Sequence, residues 1–97
     1  MLSKESVKET ISNLKGRISK CLSSPKSFSD IELVSLDGIY ATIDTIILDS
    51  KKLTKTKATK FKKLLKGYGE LIENSEKPYI QKHVLPIIER VTNQEWV

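Results

Sequence analysis

Four separate segments of this 97-residue chain carry apolar residues at steps of three and four. That spacing lines one side of a helix and does not fit the two-residue period of a strand. In the first segment the stripe is Val7, Ile11, Leu14, Ile18 and Leu22. In the second it is Leu33, Leu36, Tyr40, Ile43 and Ile47, widened by Ile39 and Ile46. The third carries Phe61, Leu64, Leu65, Tyr68, Leu71 and Ile72, and the fourth Ile80, Val84, Ile87 and Val91. Each stripe has to be buried against another, and short connections make sequence neighbours into spatial neighbours. The expected fold is therefore all-α: one domain, an antiparallel four-helix bundle. The helices are expected over about 4–22, 30–49, 55–74 and 77–92, with a tail at 93–97.

Start and stop signals agree with these limits. Ser3 can cap the first helix, with Ser6 and Glu9 as a rival pair. Pro25 and the surrounding serines of SSPKSFS make a loop. Ser29 and Glu32 form a capping-box pattern at the second helix, where Asp30 and Glu32 also suit the positive end of the dipole. The β-branched run Ile43–Ile47 has strand propensity, but its length and spacing favour helix. This second helix is expected to be the central, most buried one. Thr54 or Thr56 starts the third helix, whose Gly67 and Gly69 permit a bend or a close helix contact. Pro78 fits the first turn of the fourth helix. Pro86 removes a ladder bond there and crowds the carbonyl of Lys82, so a kink or break is expected near Leu85.

Charge is sorted along the chain. The stretch Lys51–Lys66 holds eight lysines and no acid, whereas Asp30–Ser50 holds five acids and no base. The formal net charge is +5. An unmixed basic element of this density suits phosphate, anionic lipid or an acidic partner better than solvent alone. The candidate binding residues are Lys55, Lys57, Lys60, Lys62, Lys63 and Lys66, of which Lys55, Lys60, Lys62, Lys63 and Lys66 are expected to be mostly exposed in one continuous positive surface. Contact with a nucleic-acid backbone, as an accessory subunit of a nucleoprotein complex, is one reading. The run has no Arg and one aromatic, which disfavours reading of bases. The anionic inner leaflet is another reading, because lysines flanking an apolar face suit reversible attachment to a membrane surface.

Chemistry is not visible. One Cys and one His make neither an internal disulfide nor a familiar zinc site. Cys21 reads as a small buried hydrophobe and His83 as a surface or rim residue. Glu70 and Glu73 share a helix face, but exposed carboxylates make poor general acids. The expectation is a binding protein and not an enzyme, with no cofactor and no metal. The N-terminus is amphipathic and unlike a secretory signal, and the apolar cluster at Ile39–Leu48 is too short and polar to span a bilayer. A cytoplasmic protein is expected, able to sit at the inner membrane surface. Trp96, alone in an unpatterned tail, either docks on the bundle or anchors a partner.

The stretch SSPKSFSDIELVSLDGIYATI, residues 23–43, resembles the pediocin-like (class IIa) bacteriocin immunity proteins. A Pro-Lys loop, an aromatic, Ser-Asp-Ile and a helix rich in Leu, Ile and Tyr recur there in similar order. Phe61, Leu64 and Leu65, then Ile87 and Ile88, follow in the expected sequence. The resemblance implies a small basic bundle in the cytoplasm that protects a producing cell from its own pore-forming peptide. The partner it implies is the membrane permease of the mannose phosphotransferase system, alone or in complex with the bacteriocin. It places choice of bacteriocin in the C-terminal half, with Trp96 packed near Tyr68 and Tyr79.

Overall fold

The computed structural model describes residues 4–48 and 54–93, with side chains over 6–46 and 54–93. Helix α1 spans Lys4–Leu22, α2 Asp30–Leu48, α3 Lys55–Ile72 and α4 Leu85–Asn93. A short 3-10 turn, Pro25–Ser27, lies in the first loop, and a π turn, Ile80–Val84, leads into α4. No strand occurs among the described residues. The expected cap Ser3, the lysines Lys51 and Lys52, and Trp96 lie outside the described residues.

The local signals act where the sequence places them. The Ser29 N–H donates to Glu32 Oε1 at 2.9 Å, and the Glu32 N–H donates to Ser29 Oγ at 3.3 Å. Two N–H groups that the first turn would otherwise leave unpaired are thereby satisfied. Thr54 caps α3, its Oγ1 accepting from the Lys57 N–H at 3.2 Å. Ser6 lies inside α1 and so does not cap it. Helix α3 ends two residues earlier than expected, at Ile72.

The fourth segment stays helical through Pro86. Ahead of the proline the ladder widens, and the Leu85 N–H donates to the Ile80 carbonyl five residues back. A π turn inserts one extra residue into a helix. Beyond the turn Ile88 takes the buried place expected for Ile87, which is half-buried, while Ile80, Val84 and Val91 are buried as expected.

The helices pack in a square: α1 on α2, α2 on α3, α3 on α4, and α4 with its π turn back on α1. Side-chain contacts give the register. Glu32, near the start of α2, meets Ser75 just past the end of α3, and Gly38 meets Tyr68. Gly69 of α3 meets Ile88 of α4, and Arg17 of α1 reaches the His83 carbonyl at 3.2 Å. Lys15 of α1 pairs with Asp44 of α2 and lies 5.0 Å from the Tyr40 ring centre. That hydrogen bond raises the Lys15 pKa above the ordinary lysine value, against some desolvation.

One continuous core fills the square, with Ile11, Leu14, Ile18, Leu36, Ile39, Ile43, Leu65 and Ile72 among its fully buried members. Helix α2 is a corner of this square and not its centre. Its buried stripe runs through Glu32, Ser35, Leu36, Ile39, Ile43 and Ile46, with Leu33 and Tyr40 only half-buried. The stripe is rotated toward α3 from the one read in the sequence. The close approach at Gly38 is one reason: a methyl built there would lie 2.5 Å from the Tyr68 ring. Only glycine leaves the ring room to lie against the α2 backbone.

Candidate binding face on α2 and α3

Helix α2 is apolar on nearly every side, which is the pattern of a helix covered all round. In the square it is covered on two sides only. Ile31, Val34, Gly38, Ala41 and Thr45 follow one another at steps of three and four, so they share the flank beside α3. On α3, Leu64 and Leu71 lie two turns apart on the matching flank, with Gly67 between them. Ile31 is 56% exposed, Val34 67%, Leu64 46% and Leu71 52%. The register set by Gly38 and Tyr68 brings Val34 level with Leu71. The large exposed apolar side chains of the described residues thus gather on one face of the bundle.

Between the two helices runs an open groove of about 410 Å³. Its floor is Gly38, Ala41, Thr42, Thr45, Ile46, Phe61, Leu64 and Tyr68, and Lys57 and Lys60 line its basic end. No acid lines it. The groove thus joins a largely apolar floor to two cations at one end. Among the described residues no group of three His, Cys, Asp or Glu side chains could hold a metal ion.

The sequence-predicted lysines fall on two sides of α3. At 100° per residue, Lys57 and Lys60 turn toward the α2 side, Lys55, Lys62 and Lys66 toward the α4 side, and Lys63 points away from the core between them. Lys66 lines a cleft beside Glu70, Glu73 and Glu89. Lys55, Lys60, Lys63 and Lys66 are exposed, while Lys57 and Lys62 are half-buried. The apolar face expected for α3 also changes. Leu64 and Leu71 are exposed, and Ala58 and Gly69 take buried places beside Phe61, Leu65 and Ile72.

The other singled-out residues have structural partners. Cys21 is buried, and burial, aided by the Glu32 charge, pushes its thiol up. His83 is exposed beside Arg17, with Nη1 at 3.1 Å from Nδ1, and its ring stands 4.9 Å from that of Tyr79. Glu32 is a buried acid that reasoning from the sequence treated only as a cap. Its Oε2 also accepts from the Ser75 hydroxyl, which in turn accepts from the Lys77 N–H at 3.2 Å. Burial opposes its ionisation, but the hydrogen bonds from Ser75 and Ser29, with the Lys77 charge, hold its pKa below the usual glutamate value. It fastens the start of α2 to the loop after α3.

No family model, curated protein or solved structure matches the chain. No described helix is long and apolar enough to cross a membrane.

Proposed function

We propose that this chain is a non-enzymatic binding protein that engages a protein partner through its α2–α3 face, in the manner of a bacteriocin immunity protein. The observation that carries the reading is the gathering of Ile31, Val34, Leu64 and Leu71 on one face, beside Lys57 and Lys60. Uncovered apolar area of this kind is rare on a chain that works alone. The resemblance over residues 23–43 supports the setting: the inner membrane surface, at the permease that a pediocin-like peptide uses as receptor. The lysines suit that setting, because each contributes roughly 1 kcal/mol near an anionic leaflet. Charge brings the chain to the surface and the apolar face selects the partner.

The test is growth of bacteriocin-sensitive cells expressing the chain in the presence of pediocin-like peptides. The wild-type chain is expected to protect against at least one. Val34→Glu combined with Leu64→Glu changes only exposed positions, so the bundle stays folded and protection is lost. No protection by the wild-type chain against any such peptide overturns the reading, as does full protection by the double variant. If protection is absent and the chain binds single-stranded DNA or RNA with a steep salt dependence, the lysines serve a nucleic-acid backbone instead.

A further inference from the structure

We propose that Arg17, Lys20, Tyr79 and His83, on the side of the bundle where α1 meets the π turn, form a binding site for a phosphate group. The site does not depend on the reading above, because this side stands across the square from the α2–α3 face. Arg17 and Lys20 are three residues apart on α1, and Tyr79 and His83 are four apart in the fourth segment, so each pair shares one flank of its helix. Contacts join the two pairs. Arg17 Nη1 lies 3.1 Å from His83 Nδ1 and donates to the His83 carbonyl at 3.2 Å. The His83 and Tyr79 rings stand 4.9 Å apart, and Lys20 Nζ lies 5.5 Å from the centre of the Tyr79 ring.

The group is short of negative charge. Helix α1 carries two half-buried cations, Lys15 and Arg17, turned to different neighbours. Lys15, on the α2 side, is answered by the Asp44 carboxylate. Arg17, on the side of the π turn, is answered by a ring nitrogen and a carbonyl, both on His83 and neither a carboxylate. Among the described residues no carboxylate pairs with Arg17, Lys20 or His83. A charge that has lost part of its water is costly until a counter-charge meets it.

Hydrogen bonding gives the chemistry of the missing partner. A guanidinium only donates, so His83 Nδ1 accepts from Arg17 and the ring proton sits on Nε2. The groups left to meet a ligand are the remaining N–H groups of the Arg17 fork, the His83 Nε2–H and the Lys20 ammonium, and all of them are donors. The ligand has to bring acceptors and negative charge. A carboxylate has two oxygens in one plane and is used up by the fork alone. A tetrahedral phosphate has further oxygens for donors that come from a second helix. The phosphate of an anionic lipid headgroup and that of a soluble ester share this chemistry, and the test separates them.

His83 is the only histidine of the chain, so its ring signals in NMR spectra report on the site directly. Titration of the full chain with inorganic phosphate, against sodium chloride at the same ionic strength and pH, should move these signals along a saturating curve. Arg17→Gln should weaken phosphate binding about tenfold, and Arg17→Lys nearly as much, since lysine keeps the charge and loses the fork. Lys20→Gln should weaken it about threefold. Lys20 is exposed, so this variant carries the test if an Arg17 variant melts well below the wild type. Lys63→Gln removes the same charge from the outer side of α3 and should change the affinity less than about twofold. Displacement of inorganic phosphate by phosphatidylglycerol vesicles, and not by glycerol phosphate, upholds the site and names the lipid headgroup as its source. Displacement by glycerol phosphate and not by the vesicles upholds it and names a soluble ester. Equal shifts with chloride and phosphate overturn the proposal, and so does equal weakening by Lys63→Gln and by the Arg17 and Lys20 variants, because the ion then only screens the positive charge of the chain.

Discussion

Ile43→Asp is expected to leave the chain without a cooperative melt at neutral pH. Ile43 is fully buried where α2 packs into the core, with Ile39 and Ile46 on the same stripe. An aspartate there has no cation to pair with and loses its water, at a cost of roughly 3–5 kcal/mol or more. The methylenes it replaces forfeit a further ~1–2 kcal/mol of apolar burial. A chain of this length has about 5–10 kcal/mol of stability in total. Circular dichroism during urea titration reads the outcome. Ile31→Asp is the control: at 56% exposure the same charge stays in water, and its urea midpoint should stay close to that of the wild type. A wild-type-like transition for Ile43→Asp would mean that α2 is not packed as described.

Glu32→Ala is expected to cost about 2 kcal/mol at neutral pH. The substitution removes the carboxylate that answers the Ser29 N–H, a cap worth ~1 kcal/mol. It also strips the Ser75 hydroxyl of its acceptor, worth about another 1 kcal/mol. The loss depends on pH with a definite sign. The Glu32 pKa is lowered in the folded chain, so its contribution is fully present above the ordinary glutamate value and drains away as pH falls through the folded value. Urea titrations at pH 7 and pH 3 should therefore show the gap between wild type and variant narrowing in acid. A gap that is constant, or that widens in acid, contradicts the described network.

Helix number, order and approximate limits were legible because each helix repeats an apolar stripe, and α2 and α3 begin with caps of their own. Ser29, Glu32 and Thr54 act as their types require, and these are local signals. What was not legible is relational. The stripe of α2 was centred on Leu33, Leu36 and Tyr40, but with apolar residues on nearly every side, periodicity alone cannot say which flank the other helices leave open. The same limit applies to α3, where Leu64 and Leu71 fit an apolar stripe yet stand outside the contact with α2. The missed signal was present as a second stripe, Ile31, Val34, Gly38, Ala41 and Thr45, at the same three-and-four spacing. The bond from Ser75 to Glu32 joins residues 43 apart, a link that no local pattern encodes. Near Pro86 the sequence suggested a kink or break, whereas the segment runs on as helix after a π turn and buries Ile88 in place of Ile87, neither of which local spacing encodes.

The central claim is that the apolar α2–α3 face, and not the lysines alone, selects the partner. Its most direct measurement is binding of the purified chain to membrane vesicles that contain the mannose permease together with a pediocin-like peptide. Vesicles of the same anionic lipid without protein serve as the reference. The wild-type chain should bind the permease vesicles well above the reference, and Val34→Glu with Leu64→Glu should reduce that excess about tenfold or more while leaving the salt-sensitive lipid binding nearly unchanged. Equal binding of wild type and double variant to the permease vesicles would contradict the claim and leave the lysines as the whole of the recognition.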